Sequence, residues 1–133
     1  MPASPSPTDR LYTAEHEWVL ITPGADLPTE PVRVGLTTFA LDALGDVVYV
    51  DLPESGTEVT AGEACGEVES TKSVSDLYAP VSGTVAEVND AIVADPAGIA
   101  ADPYEGGWLF TVRPGSATKL LTAQEYDSLI AQS

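Results

Sequence analysis

Proline and glycine interrupt this chain so often that a long helix has little room in it: there are eleven of each in 133 residues. Both residue types end regular elements and build turns. Between them lie short runs of strand character. Residues 16–21 read HEWVLI and residues 32–36 read VRVGL, with the polar TPGADLPTEP between them, so the spacing predicts a hairpin. Asp46–Leu52 (DVVYVDL) is apolar nearly throughout, which predicts a strand buried on both faces. EACGEVES and VSDLYAPV form two further runs, and GTVAEVND sets Thr84, Ala86 and Val88 on one face. GGWLFTVRPG alternates Trp108, Phe110 and Val112 against Leu109, Thr111 and Arg113, as a half-buried strand does.

Two short helices fit among these runs. TTFALDALGD offers Thr37 or Thr38 as the N-cap and Gly45 as the stop, with Phe39/Ala43 and Ala40/Leu44 four residues apart and able to face the core. LTAQEYDSLI carries a capping box, Thr122 with Glu125 three residues on, and Leu121 placed to staple onto Tyr126. A helix is expected over 123–131. PESGT at Pro53–Thr57 returns as PVSGT at Pro80–Thr84, 27 residues later. Two similar strand–turn–strand units point to a quasi-two-fold β-sandwich.

The length suits one domain with one core. MPASPSPTDR lacks the apolar segment of a signal peptide, so residues 1–10 are expected to be a disordered tail, residues 11–133 a single domain, and the location cytoplasmic. No apolar stretch reaches the roughly 18 residues that a membrane span needs. Twenty-one acids against five bases give a formal net charge of −16. Such a surface repels nucleic acid phosphates and anionic membranes. It suits partners with basic docking faces, or cargo that is cationic while bound. Cys65, the single cysteine, forms no disulfide within the chain and reads as a small packing residue. No metal site is expected.

Only two lysines occur, Lys72 and Lys119. Lys72 lies in a short polar turn, Glu69-Ser70-Thr71-Lys72-Ser73, between two strand-like runs. Glu67, Glu69 and Asp76 lie close in sequence and favour the protonated amine, which makes Lys72 a poor nucleophile for its own protein. A hairpin tip is nevertheless exposed and fixed at its base. A modifying enzyme could close over small flanks such as Ser70, Thr71 and Ser73. On spacing alone, Lys72 is either an ordinary turn lysine or a tether.

At these residues the chain resembles a known family. HEWV, FALDALGDVVYVDLPESGTEVTAGE, GEVESTKSVSDLYAPVSGTVAEVN and DPYEGGWLF, in this order from about Tyr12 to Ile130, are similar to the glycine cleavage system H protein. The resemblance implies a mainly β, barrel-sandwich fold of the lipoyl/biotinyl carrier type, with a short internal helix and a C-terminal helix. It implies lipoic acid in amide linkage on Lys72, and a carrier rather than a complete enzyme. The carried aminomethyl group would come from glycine on a pyridoxal-phosphate glycine decarboxylase (P protein) and pass to an aminomethyltransferase (T protein). Reoxidation would fall to dihydrolipoyl dehydrogenase (L protein), and a lipoylating enzyme would load Lys72. The family pattern places Asn where this chain has Asp102, and the TPGADLPTEP loop is longer than the family leads one to expect.

The resemblance further implies a cleft that receives the loaded arm. Glu17 and Asp76 would line it, with His16 beside them. From the residues alone, Glu17 is equally an exposed strand acid and His16 a half-buried strand residue. Trp18 and Trp108 read as core or cleft-wall aromatics. A biotin carrier would place methionines around the lysine, whereas Thr71 and Ser73 flank Lys72. A lipoyl domain of a 2-oxoacid dehydrogenase would leave the HEW, DALGD and terminal-helix segments unexplained. A lipoate relay, or an unmodified acidic interaction protein, would share the fold.

Overall fold

The computed structural model describes residues 6–117 and 120–131. Lys119 therefore lies outside the described residues. Among the described residues, nine strands form two antiparallel sheets. One has six strands: β1 (Leu11–Tyr12), β2 (Glu17–Val19), β3 (Val32–Leu36), β9 (Phe110–Ala117), β8 (Val81–Val88) and β5 (Glu58–Val59), adjacent in that order. The other has three: β4 (Val47–Asp51), β6 (Ala64–Ser70) and β7 (Val74–Tyr78). The hairpin predicted across the TPGADLPTEP loop forms, with Glu17 opposite Leu36 and Val19 opposite Val34.

The echoed segments meet. β5 runs antiparallel to β8 with Glu58 opposite Thr84 and Val59 opposite Gly83. Thr57 C=O accepts from Val85 N–H at 2.8 Å and Gly56 N–H donates to Val85 C=O at 2.7 Å. A Cβ on Gly83 would clash with the Arg113 carbonyl oxygen, so close approach of β8 and β9 requires glycine there.

Inward-facing residues of both sheets make one core, including Val34, Leu36, Val50, Val68, Leu77, Val85, Phe110 and Val112. Leu109, Phe110, Thr111 and Val112 are all buried, so the clean alternation expected there does not carry through to burial. A register shift between Val85 and Glu87 accompanies it, and Val85 rather than Thr84 enters the core. β4 departs further from expectation. Val50 is buried, but Val48 and Tyr49 are 49% and 56% exposed. The three-stranded sheet covers the core with one face only, and its other face meets solvent.

The helix α1 (Thr38–Leu44) is capped by Thr37, whose hydroxyl oxygen accepts from Ala40 N–H, and ends at Gly45, whose N–H donates to Leu41 C=O. Ala40 and Leu44 face the core as expected; Leu41 joins them, while Phe39 is half-buried and Ala43 exposed. The terminal helix α4 spans Ala123–Ala131. Its capping box closes in both directions: Thr122 N–H donates to Glu125 Oε1 at 3.0 Å, and Glu125 N–H to Thr122 Oγ1 at 3.2 Å. Leu121 packs in the same cluster as Tyr126. Two further short helices, α2 (Asp90–Ala94) and α3 (Gly98–Ala101), lead to a turn where the Asp102 carboxylate accepts from Gly106 N–H. An acidic side chain supplies that acceptor as an amide oxygen does.

Residues 6–10, expected within a disordered tail, pack against the domain. Ser6 Oγ donates to Asp127 at 2.6 Å. Arg10, 3% exposed, lies 4.7 Å from the Trp18 ring centroid and donates to the Tyr104 carbonyl oxygen. A guanidinium on aromatic faces orders a segment whose composition alone reads as loose. Residues 1–5 lie outside the described set. Trp18 is fully buried; Trp108 is half-buried under the Arg33 guanidinium. No described helix is long and apolar enough to cross a membrane.

Candidate functional site

Lys72 sits at the tip of the β6–β7 hairpin, in a loop of Thr71, Lys72 and Ser73. Ser70 organises the tip from a buried position. Its hydroxyl oxygen accepts from Lys72 N–H and from Ser73 N–H, each at 3.1 Å, while its own N–H donates to the Ser73 carbonyl oxygen at 2.8 Å. A short side-chain hydroxyl at the start of a turn takes up donors that the turn leaves unpaired. Thr71 N–H donates to Asp46 C=O at 3.0 Å, which ties the tip to the residue after the Gly45 stop of α1. The backbone is thus held while Lys72 itself is exposed.

The lysine stem lies along Gly45. A Cβ there would be 3.0 Å from Lys72 Cε and 3.6 Å from Nζ. Gly45 has φ 83° and ψ −148°, a region nearly closed to other residues. The α1 stop and the lysine tip are therefore matched in space.

Beside the tip lies a cavity of about 200 Å³. Ser73, Ser75 and Asp76 line it from the hairpin, Glu15, His16 and Glu17 from the opposite wall, and Leu36, Ala40, Leu44 and Val68 supply apolar surface. Glu17, Asp76 and His16, the cleft residues named from sequence, come together here with Ser73. Glu69 alternates with Val68 and is exposed, Ser70 is buried under the tip, and Thr71 is exposed. A larger groove of about 450 Å³, lined by Tyr49 to Ser55, Val88, Asp90 and Val93, holds none of the expected site residues.

Glu17 is 1% exposed. Thr13 Oγ1 donates to Glu17 Oε1 at 2.8 Å, and Tyr78 N–H donates to Oε2 at 3.4 Å. Among the described residues no basic side chain pairs with it. Burial pushes the carboxyl up to about 8, against the lowering effect of those two hydrogen bonds, and Glu15 adds to the rise. The Cys65 thiol nearby is pushed up to about 12, first by burial and then by Glu17, which fits a packing thiol and not a nucleophile. His16 has φ 72°, the one described non-glycine residue with positive φ. Its Nδ1 is 2.9 Å from the Tyr126 hydroxyl and its ring packs 4.7 Å from Phe39. Burial lowers its pKa. Sequence reasoning missed Thr13, Leu36, Val68 and Tyr126. Only the Ala40/Leu44 spacing hinted at the apolar wall. Among the described residues no cluster of three metal-ligating side chains occurs.

The arrangement is an exposed amine on a fixed backbone tip, beside a pocket with apolar walls and acidic side chains that no basic side chain pairs with among the described residues. Such a pocket fits a group that is mostly hydrocarbon and ends in a cation. Comparison with known proteins bears on the chain as a whole. The family model described as "Glycine cleavage H-protein" matches residues 10–133. A glycine cleavage system H protein of Beutenbergia cavernae is 58% identical over 123 residues, spanning 92% of this chain and 94% of the relative. One from Micrococcus luteus is 64% identical over 106 residues, 80% of each chain. The crystal structure of a glycine cleavage system H protein from Mycobacterium marinum superposes with a TM-score of 0.93 at 60% identity, covering 95% of this chain and 99% of that one.

Proposed function

The chain belongs to the glycine cleavage H-protein family, and from that premise we propose that Lys72 is the residue carrying lipoic acid and that the neighbouring cleft shelters the cargo. The protein is a lipoyl carrier component of glycine cleavage, with the barrel-sandwich carrier fold. The observation behind the site assignment is the Lys72 amine on a hydrogen-bonded hairpin tip, next to a cleft walled by Leu36, Ala40, Leu44 and Val68 and by three acidic side chains, Glu15, Glu17 and Asp76.

The residues suit the group. Lys72 would hold lipoate by an amide, its stem seated on Gly45. Lipoate held there would supply a disulfide able to accept the aminomethyl group, and the disulfide would be regenerated by later oxidation of the dithiol. The chain contributes placement and protection. Ser70 keeps the tip in one shape, so the tether starts from a fixed point. The apolar walls exclude water from a labile cargo. Asp76 accepts the cargo ammonium at the cleft mouth, and Glu17 accepts it deeper in. An arriving cation favours the ionised carboxylate, so Glu17 gives up its proton as the ammonium docks.

Within the glycine cleavage system the partners are the P-protein decarboxylase, the T-protein aminomethyltransferase and the L-protein dehydrogenase, with a lipoylating enzyme upstream. Tethering gives the cargo a high local concentration at each docked partner. The reading includes a cytoplasmic location and a single carrier domain over 11–133. It is tested by glycine decarboxylation in a reconstituted system of the family's enzymes. Lipoylated wild-type protein should support turnover and Lys72→Arg should support none; equal turnover by the two contradicts the assignment.

A further inference from the structure

The helix α4 lies outside the two sheets, yet one of its residues reaches the cleft wall. Tyr126 is fully buried, and its hydroxyl lies 2.7 Å from Thr37 Oγ1 and 2.9 Å from His16 Nδ1. Thr37, also fully buried, already accepts from Ala40 N–H with the same oxygen. One direction of donation satisfies every hydroxyl hydrogen in this cluster. Thr37 O–H donates to the Tyr126 oxygen, and Tyr126 O–H donates to His16 Nδ1. The reverse direction strands the Thr37 hydroxyl hydrogen. In the satisfied arrangement the His16 proton is on Nε2, and among the described residues Nε2 has no hydrogen-bond partner.

The backbone of His16 is held as well. Its φ of 72° is a conformation that a non-glycine residue holds only when its surroundings insist. His16 N–H donates to Thr13 C=O, and His16 C=O accepts from Thr37 N–H, both at 3.1 Å. Thr13 also holds the Glu17 carboxylate. One network therefore fixes both cleft side chains from behind.

We propose that Tyr126 is a positioning residue: from the terminal helix it locks His16 in the Nε2–H tautomer, and so sets the cleft wall that protects the arm's cargo. This rests on the proposed carrier function. The titratable groups around His16 are Glu15 and Glu17 on its own segment, Asp76 across the cleft and Tyr126 behind it. Losing the Tyr126 hydroxyl removes a donor that favours neutral imidazole, so the His16 pKa should move up.

Nitrogen NMR of the imidazole in unmodified protein reads the tautomer without any lipoate. The wild type should show Nδ1 unprotonated and Nε2 protonated; Tyr126→Phe should show a tautomer mixture and a higher His16 pKa. In lipoylated, aminomethyl-loaded protein, hydrolytic loss of cargo from Tyr126→Phe should rise roughly fivefold, about one lost hydrogen bond. Tyr12→Phe is the control, because Tyr12 stacks on Tyr126 and its hydroxyl bonds Pro7 C=O, away from His16. It should leave the tautomer and the cargo lifetime unchanged. An unchanged tautomer in Tyr126→Phe overturns the proposal, as does an altered tautomer with unchanged cargo loss, or equal effects of the two variants. Failure of the carrier reading is told apart by intact mass, since Lys72 would then take up no lipoate while the imidazole result stands.

Discussion

Glu17 sits where a strand residue would normally be apolar, and its acid–base behaviour should be visible in the stability of the whole protein. Its carboxyl is raised from 4.5 to about 8 in the folded state, because burial penalises the anion. Below about pH 4.5 the proton is bound in folded and unfolded chains alike, and burial costs little. Between about 4.5 and 8 the folded chain holds the proton more tightly than the unfolded one, so stability falls as pH rises, by up to about 1.4 kcal/mol per pH unit. Glu17→Gln removes the ionisation and should flatten that fall. Urea midpoints from pH 5 to 9 should decline in the wild type and change far less in Glu17→Gln; parallel curves would show that Glu17 ionises freely. The same buried acid was only half legible in the sequence. HEW marks a strand residue, but nothing local says that Thr13 and the Tyr78 amide close over its carboxylate. That enclosure depends on β7 arriving from 61 positions away.

At the scale of elements, the site is the meeting of a helix stop and a hairpin tip. Gly45 ends α1 in a backbone region nearly exclusive to glycine and leaves room for the Lys72 stem. Gly45→Ala forces the backbone into strain costing about 1–3 kcal/mol, and moves the stem. The urea midpoint should drop accordingly, while Lys72 stays available to a lipoylating enzyme because its amine already faces solvent. An unchanged midpoint would mean that the stop is not strained. α4 was legible to the residue because its capping box is written in adjacent positions, Thr122 to Glu125. α1 was legible for the same reason, through Thr37 and Gly45. β4 was misread because Val48 and Tyr49 are apolar yet face solvent, and periodicity cannot tell a doubly buried strand from one whose outer face is left bare. The helices α2 and α3 span five and four residues, too short for a hydrophobic period to register. Arg10 was read as tail because its aromatic partners, Trp18 and Tyr104, are supplied by the fold.

For the whole molecule, a net charge of −16 predicts that docking of the proposed partners is electrostatic. Amide formation on Lys72 removes one positive charge and leaves the body one unit more negative. Transfer between the P and T proteins should slow severalfold in kcat/KM as ionic strength rises from about 20 to about 200 mM, because screening over about 10 Å weakens the approach. Rates indifferent to salt would show that contact is governed by shape alone. The position of Lys72 and its flanks on a hairpin tip was legible in the sequence because such a tip is a local structure. The cleft was recoverable only as far as the resemblance carried it, since its walls come from β2, β3, α1, β6 and β7 together. The central claim remains that the Lys72 amine is a covalent attachment point. Intact-mass measurement on protein from a lipoylating host tests it most directly. The expected result is a gain of about 188 Da, the mass of a lipoyl group joined by amide condensation, on the peptide containing Lys72 and absent in Lys72→Arg. An unmodified mass, or the same gain on another residue, would contradict it.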